Sequence, residues 1–193
     1  FFDQRAAMAL RDPDEFAADT QRLLAAGGTA ASIEPGRAIS GSELLAVWRA
    51  DRDDLLALAR TVDPSSRVPW YGPAMAARSF ITARLMETWA HGQDICDAVG
   101  ATRQPTARLA YIARLGFLTR GWTFTNRGEV PPVSDVRVEL DAPDGSRWDF
   151  GPADAVERVS GSAEDFCLVV TQRRHLDDTE LDVAGDDALS WMT

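Results

Sequence analysis

Arg84, Glu87, His91 and Asp94 stand three, four and three residues apart in the segment RLMETWAHGQD, residues 84–94. On a helix of 3.6 residues per turn these positions share an arc of roughly 80°. Glu87 and His91 form an i, i+4 pair, so their side chains leave the helix one above the other. That spacing lets a carboxylate oxygen and an imidazole nitrogen meet one zinc-like ion at about 2 Å. Asp94, one turn further on, is placed to orient the imidazole by accepting from its second nitrogen. Arg84, one turn earlier, could fix the Glu87 carboxylate or bind an anionic substrate. The same four residues would also serve as an intrahelical charge ladder, and spacing alone leaves both readings open. A catalytic zinc takes three protein ligands, and this stripe offers two.

Other chemistry-bearing residues read more plainly. His175, in QRRHLDD, is expected to be a solvated loop residue. Arg173 and Arg174 could reach a carboxylate, although a solvated helix end is the simpler reading. Cys96 sits just past the stripe and points toward the apolar side, as a core cysteine would. Trp70 and Tyr71 could line a pocket mouth or pin a loop. The chain has no Gly-rich phosphate loop and no Gly-x-Ser-x-Gly elbow, so phosphoryl transfer and serine hydrolysis have no support.

The stripe needs a helix, and the pattern supplies one. From Pro73 a helical run extends to Val99 and stops at Gly100, a residue suited to a left-handed cap. Ile81, Leu85, Trp89, Ile95 and Val99 are expected to face a core, and Ala83, Ala90, Gln93 and Asp97 solvent. Upstream, residues 1–11 and 13–26 read as helices separated by Asp12-Pro13, followed by a polar connection over 29–41. Ser40 and Glu43 fit a capping box. The helix after it carries Leu44, Trp48, Leu55, Leu58 and Val62 on one side, and VPWYGP then reads as a loop. A further helix is expected from Pro105 to near Gly128. After EVPPVS (129–134) the texture changes. Val136, Val138 and Leu140 alternate with polar residues as a strand, Asp144-Gly145 marks a hairpin and SRWDF returns. A short strand near Val159, a helix over EDFCLVVTQRR preceded by Ser162 and another helix from Asp186 complete an α+β unit.

The composition narrows the function classes. The chain has 193 residues, 45% of them hydrophobic, a net charge of −10, and no lysine among its basic residues. A duplex binder needs a basic footprint, so nucleic acid is not expected as a partner, nor is an anionic membrane surface. Two widely separated cysteines and the lack of a long apolar run point to a reduced, cytoplasmic protein. Both ends read as cut within helices.

ARLMETWAHGQDICDAVG (83–100) resembles the metal-binding helix of the DinB-like superfamily, in particular its mycothiol-dependent maleylpyruvate isomerase branch. WYGPAMAARSF before it, GFLTRGWTFTNRG after it and DFCLVVTQRRHLDDTEL look like an uncharacterised actinobacterial group of that branch. The resemblance runs over essentially the whole chain. It implies an α+β protein in which residues 1–128 form a DinB-like four-helix bundle, 129–134 a linker, and 135–193 a small sterol-carrier-like α+β domain. It implies a divalent metal, usually zinc, held by two histidines and a glutamate. Glu87 and His91 match two of these, and the remaining histidine is expected upstream of Phe1. It also implies an arginine from the second domain at the site, for which Arg174, or its neighbour Arg173, is the nearest match.

The chemistry implied is thiol addition. Mycothiol, its pKa lowered by the metal, would add to the activated double bond of a maleylpyruvate-like substrate. Rotation and elimination would then give the trans isomer, with arginine holding a carboxylate. The expectation is a metal-dependent isomerase or thiol transferase acting on a small anionic substrate. The alternative is a non-catalytic protein whose sterol-carrier-like domain holds an apolar or acyl ligand.

Overall fold

The computed structural model describes residues 1–193, the side chains of Thr29 and Ala31 apart. Among the described residues it is an α+β chain of nine α-helices and two small sheets. It divides into two compact units, Phe1–Arg84 and Leu85–Thr193.

The first unit contains α1 (Phe2–Arg11), α2 (Pro13–Ala25), α3 (Thr29–Arg37), α4 (Gly41–Thr61), a hairpin of β1 (Arg67–Val68) and β2 (Met75–Ala76), and the start of α5 (Ala77–Val99). Local chemistry sets the helix starts. The Asp12 carboxylate accepts from the Glu15 amide at the head of α2, with Pro13 in the first turn. Ser40 and Glu43 close the expected capping box on α4. Ala6, Ala7 and Ala9 are buried, and these short side chains let α1 lie close to its neighbours around Phe16, Leu55, Val68 and Phe80.

Two expectations for this unit are corrected. Residues 29–41 are not simply a connection, because Thr29–Arg37 is helical. Pro35 stands in the last turn of that helix with no N–H to donate to the carbonyl four residues back, and the helix ends two residues later. VPWYGP is the expected loop, its ends joined by a short antiparallel ladder pairing Arg67 with Ala76 and Val68 with Met75. On α4, Leu55 is buried and Leu58 and Val62 join the core, but Leu44 and Trp48 stay exposed.

The second unit holds the rest of α5, then α6 (Leu109–Leu118) and α7 (Arg120–Asn126). β3 (Val136–Asp141), β4 (Arg147–Phe150), β5 (Glu157–Ser162), α8 (Ala163–Val170), β6 (Asp182–Ala184) and α9 (Asp186–Met192) follow. The sheet order is β4-β3-β5-β6, with β3 antiparallel to β4 and parallel to β5. The alternation seen in sequence is realised: Val136, Val138 and Leu140 face a core with Val159, Phe166, Cys167 and Trp191. The helix expected over EDFCLVVTQRR ends at Val170, and the Ser162 hydroxyl caps it by accepting from the Glu164 and Asp165 amides.

Here too the sequence pattern is refined. The helix expected from Pro105 to near Gly128 is two helices that part at Thr119, whose hydroxyl bonds back to the Leu115 carbonyl. Leu109, Ile112 and Ala113 of α6 share the core of the sheet, so this core extends well before the Pro-rich stretch at 129–134. β6 is an addition, too short at three residues to show a period.

Candidate metal centre

Glu87, His91 and Asp94 lie on the part of α5 that belongs to the second unit. Met86 and Trp89 pack against that unit's core, and Ala90 is fully buried, so these positions set the rotation of the helix. The sequence had put Ala90 toward solvent and Ile95 and Val99 toward a core. The structure reverses this, with Ile95 66% and Val99 71% exposed. Arg103 explains part of the setting. Its guanidinium lies over the Trp89 ring and donates to the Trp89 carbonyl and to Gln93, passing over Gly92, where no side chain stands in its way. The polar stripe is consequently more open than expected, the side chains of Glu87 and His91 being 42% and 60% exposed.

His91 stands between two carboxylates. Its Nδ1 is 2.9 Å from Asp94 Oδ2, and its Nε2 is 3.3 Å from Glu87 Oε2. Asp94 is held ionised: hydrogen bonds from Arg173, and secondly from His91, keep its carboxyl below the ordinary aspartate value. An ionised carboxylate only accepts, so Nδ1 carries the proton of that bond. In the neutral imidazole the Nε2 lone pair then faces the Glu87 carboxylate. Two acceptors in that position repel unless a proton or a cation lies between them. The 3.3 Å gap is beyond the usual 2.7–3.2 Å of a hydrogen bond. Two donors on a tetrahedral ion with bonds of about 2.0–2.1 Å lie roughly 3.3 Å apart. The pair therefore fits an edge of a zinc-like coordination sphere, with Asp94 as the acceptor behind the imidazole. Among the described residues no third His, Cys, Asp or Glu completes a metal-holding group.

The arginines are placed by the end of α8. Gln172 adopts a left-handed backbone, with φ of 62°, and reverses the chain. Arg173 then spans Asp94 with both edges of a fork, Nε to Oδ1 at 3.1 Å and Nη2 to Oδ2 at 2.9 Å. Its Nη2 also lies 3.4 Å from His91 Nδ1, a contact between two donors and not a hydrogen bond once Nδ1 is protonated. Arg174 makes the equivalent fork on Asp97, at 2.8 Å to each oxygen. That pair holds the Asp97 carboxyl at about 2, the Arg174 bonds first and Gln93 second. Of the two arginines singled out in sequence, Arg173 is the one beside His91. Asp97, taken for a surface residue, is the partner that the sequence reading missed, and its i, i+3 spacing from Asp94 beside an Arg-Arg pair was the available signal.

Both arginines line a cleft of about 460 Å³ together with Arg127, His175 and Asp178, floored by Val169, Trp191 and Met192. His175 is exposed, as expected of a loop residue. Cys96 is half-buried, whereas Cys167 is fully buried and burial drives its thiol pKa strongly up. Arg84, the last residue of the first unit, is enclosed there: its guanidinium packs over Phe2 and Trp70 and lies 3.5 Å from the buried carboxylate of Asp3.

Comparison with known proteins bears on this geometry. Residues 1–96, which include Glu87, His91 and Asp94, match the family model described as mycothiol maleylpyruvate isomerase N-terminal domain. Residues 132–183 match a second model, described as wyosine base formation. Two uncharacterised proteins of Mycobacterium tuberculosis, from strains CDC 1551 and H37Rv, are each 47% identical over 156 residues. The alignment covers 81% of this chain and 61% of each relative, so the chain spans about three fifths of the length of these proteins. No solved structure gives a significant match. No helix among the described residues is long and apolar enough to cross a membrane.

Proposed function

We propose that this chain, whose residues 1–96 match the mycothiol maleylpyruvate isomerase N-terminal domain family, belongs to a metal-dependent enzyme that uses a low-molecular-weight thiol such as mycothiol. In this reading it is an isomerase or thiol transferase acting on a small anionic substrate. The observation that carries the proposal is the Glu87–His91 gap, two acceptors held 3.3 Å apart with Asp94 behind the imidazole.

Glu87 Oε2 and His91 Nε2 are assigned as metal donors, and Asp94 as the acceptor that keeps Nδ1 protonated. The family expectation supplies the remaining donor as a histidine upstream of Phe1. A divalent ion such as zinc, bound there, supplies Lewis acidity that lowers the pKa of a coordinated thiol. Arg174 is assigned to the substrate anion, on the wall of a cleft that also presents Arg127 and His175. The Arg174 guanidinium fork is engaged by Asp97, so a substrate carboxylate would bind it through two parallel bonds by displacing that side chain. The exposed setting of Glu87 and His91 leaves room for thiol and substrate to approach.

The DinB-like four-helix bundle and the sterol-carrier-like second domain are part of the same proposal, supported by the family match at the N-terminus and by a small α+β unit after it. The non-catalytic carrier reading needs an apolar cavity within residues 135–193. The cleft found in that region is walled by arginines, a lining suited to an anion more than to an acyl chain.

The reaction is tested by incubating metal-loaded, full-length protein with maleylpyruvate, with and without mycothiol. Thiol-dependent formation of the trans isomer, or of a thiol adduct, is the expected result. If neither forms with mycothiol or another small thiol, thiol chemistry is rejected.

A further inference from the structure

Two pairs of residues repeat the same chemistry one helical turn apart. Arg173 grips Asp94 and Arg174 grips Asp97, each through two guanidinium nitrogens, and both pairs run from the loop after α8 to α5. They share one origin. Gln172 is left-handed, and the amides of Arg173 and Arg174 both return to the Leu168 carbonyl. A non-glycine residue in that conformation costs about 1 kcal/mol or more and persists where its surroundings demand it. Only the first of the two carboxylates touches a histidine.

We propose that Arg173 is a positioning residue for His91: by clamping both oxygens of Asp94 it holds Oδ2 against Nδ1 and so presents a bare Nε2 toward Glu87. Asp94 is 47% exposed and, unclamped, would turn freely about its terminal torsion. The fork removes that freedom because a planar guanidinium fixes the carboxylate plane as well as its position. The remaining Arg173 nitrogen is occupied by the Thr171 carbonyl, and the guanidinium is 80% covered, so the clamp is itself held. Which nitrogen of an imidazole carries the proton is set by the hydrogen bond at the other. Arg173 thus acts through Asp94, and its effect is on the imidazole tautomer and orientation. The role is absent from the resemblance, which gives the second-domain arginine to the site without this contact.

The test uses Arg174→Gln as an internal control, since it removes an equivalent ion pair from the same loop and helix. Nitrogen-15 spectra of the His91 ring in metal-free protein, in mildly alkaline solution, read the tautomer directly. Zinc titration calorimetry on the same proteins reads affinity. Wild type and Arg174→Gln are expected to show the Nδ1–H tautomer. Arg173→Gln is expected to shift the ring toward Nε2–H and to weaken zinc about tenfold, the lower end of the range for outer partners of a metal ligand. Arg173→Lys is expected to resemble Arg173→Gln, because a point charge cannot hold both oxygens. The inference is overturned if Arg173→Gln keeps the wild-type tautomer, or if Arg174→Gln shifts it equally. It rests on the proposed function for its zinc arm alone. Absence of zinc binding in wild type would sink that function while the ring spectra still decide this inference.

Discussion

At the scale of single residues, the account depends on His91 having different partners at its two nitrogens. Nδ1 meets a carboxylate that Arg173 keeps ionised, and Nε2 faces a second carboxylate at a metal-like separation. The neighbouring Asp97–Arg174 pair provides a pH test without a histidine. Its folded carboxyl sits at about 2, below the ordinary aspartate value, so the stabilisation is present above that ordinary value. It is lost as pH falls from there through about 2. Carbon-13 titration of the Asp97 carboxyl is expected to show a midpoint near that value, moving up toward the ordinary range in Arg174→Gln. An unchanged midpoint in the variant would remove Arg174 as the cause.

At the scale of elements, two substitutions probe what positions the site. Ser40→Ala deletes the capping box that starts α4 and is expected to cost about 1 kcal/mol, read as a lower denaturant midpoint at unchanged slope. Gly116 of α6 lies against α8, where an added Cβ would stand 2.8 Å from a methyl of Val170. Gly116→Ala should therefore destabilise by about 1–3 kcal/mol despite the better helix propensity of alanine. Combining it with Val170→Ala should restore part of the loss, which a double-mutant cycle reads as coupling. If the two effects simply add, the close packing of α6 on α8 is not what sets the cost.

These elements also show what the sequence made legible. Alternating Val136, Val138 and Leu140, the Ser40 cap and the stop at Gly100 rest on local rules, and the structure realises them. The rotation of α5 was misread because Ile95 and Val99 were assigned inward on apolarity alone, while the buried faces are those of Trp89 and Ala90. The Glu87–His91–Asp94 stripe could be read because its members share one helix. The Arg173–Asp94 and Arg174–Asp97 pairs are suggested only by spacing, since they depend on a chain reversal at Gln172 that no local rule predicts for glutamine.

At the scale of the whole molecule, residues 1–96 carry the N-terminal family match, and the chain spans about three fifths of the length of its two uncharacterised mycobacterial relatives. The net charge of −10 contrasts with the local cluster of Arg127, Arg173 and Arg174 around the cleft. The central claim is that Glu87 and His91 hold a divalent metal. It is tested most directly by elemental analysis of purified full-length protein beside Glu87→Ala and His91→Ala. The account predicts about one divalent ion per chain in the wild type and its loss from both variants. A wild type without stoichiometric metal, or variants that both retain it, would contradict the account.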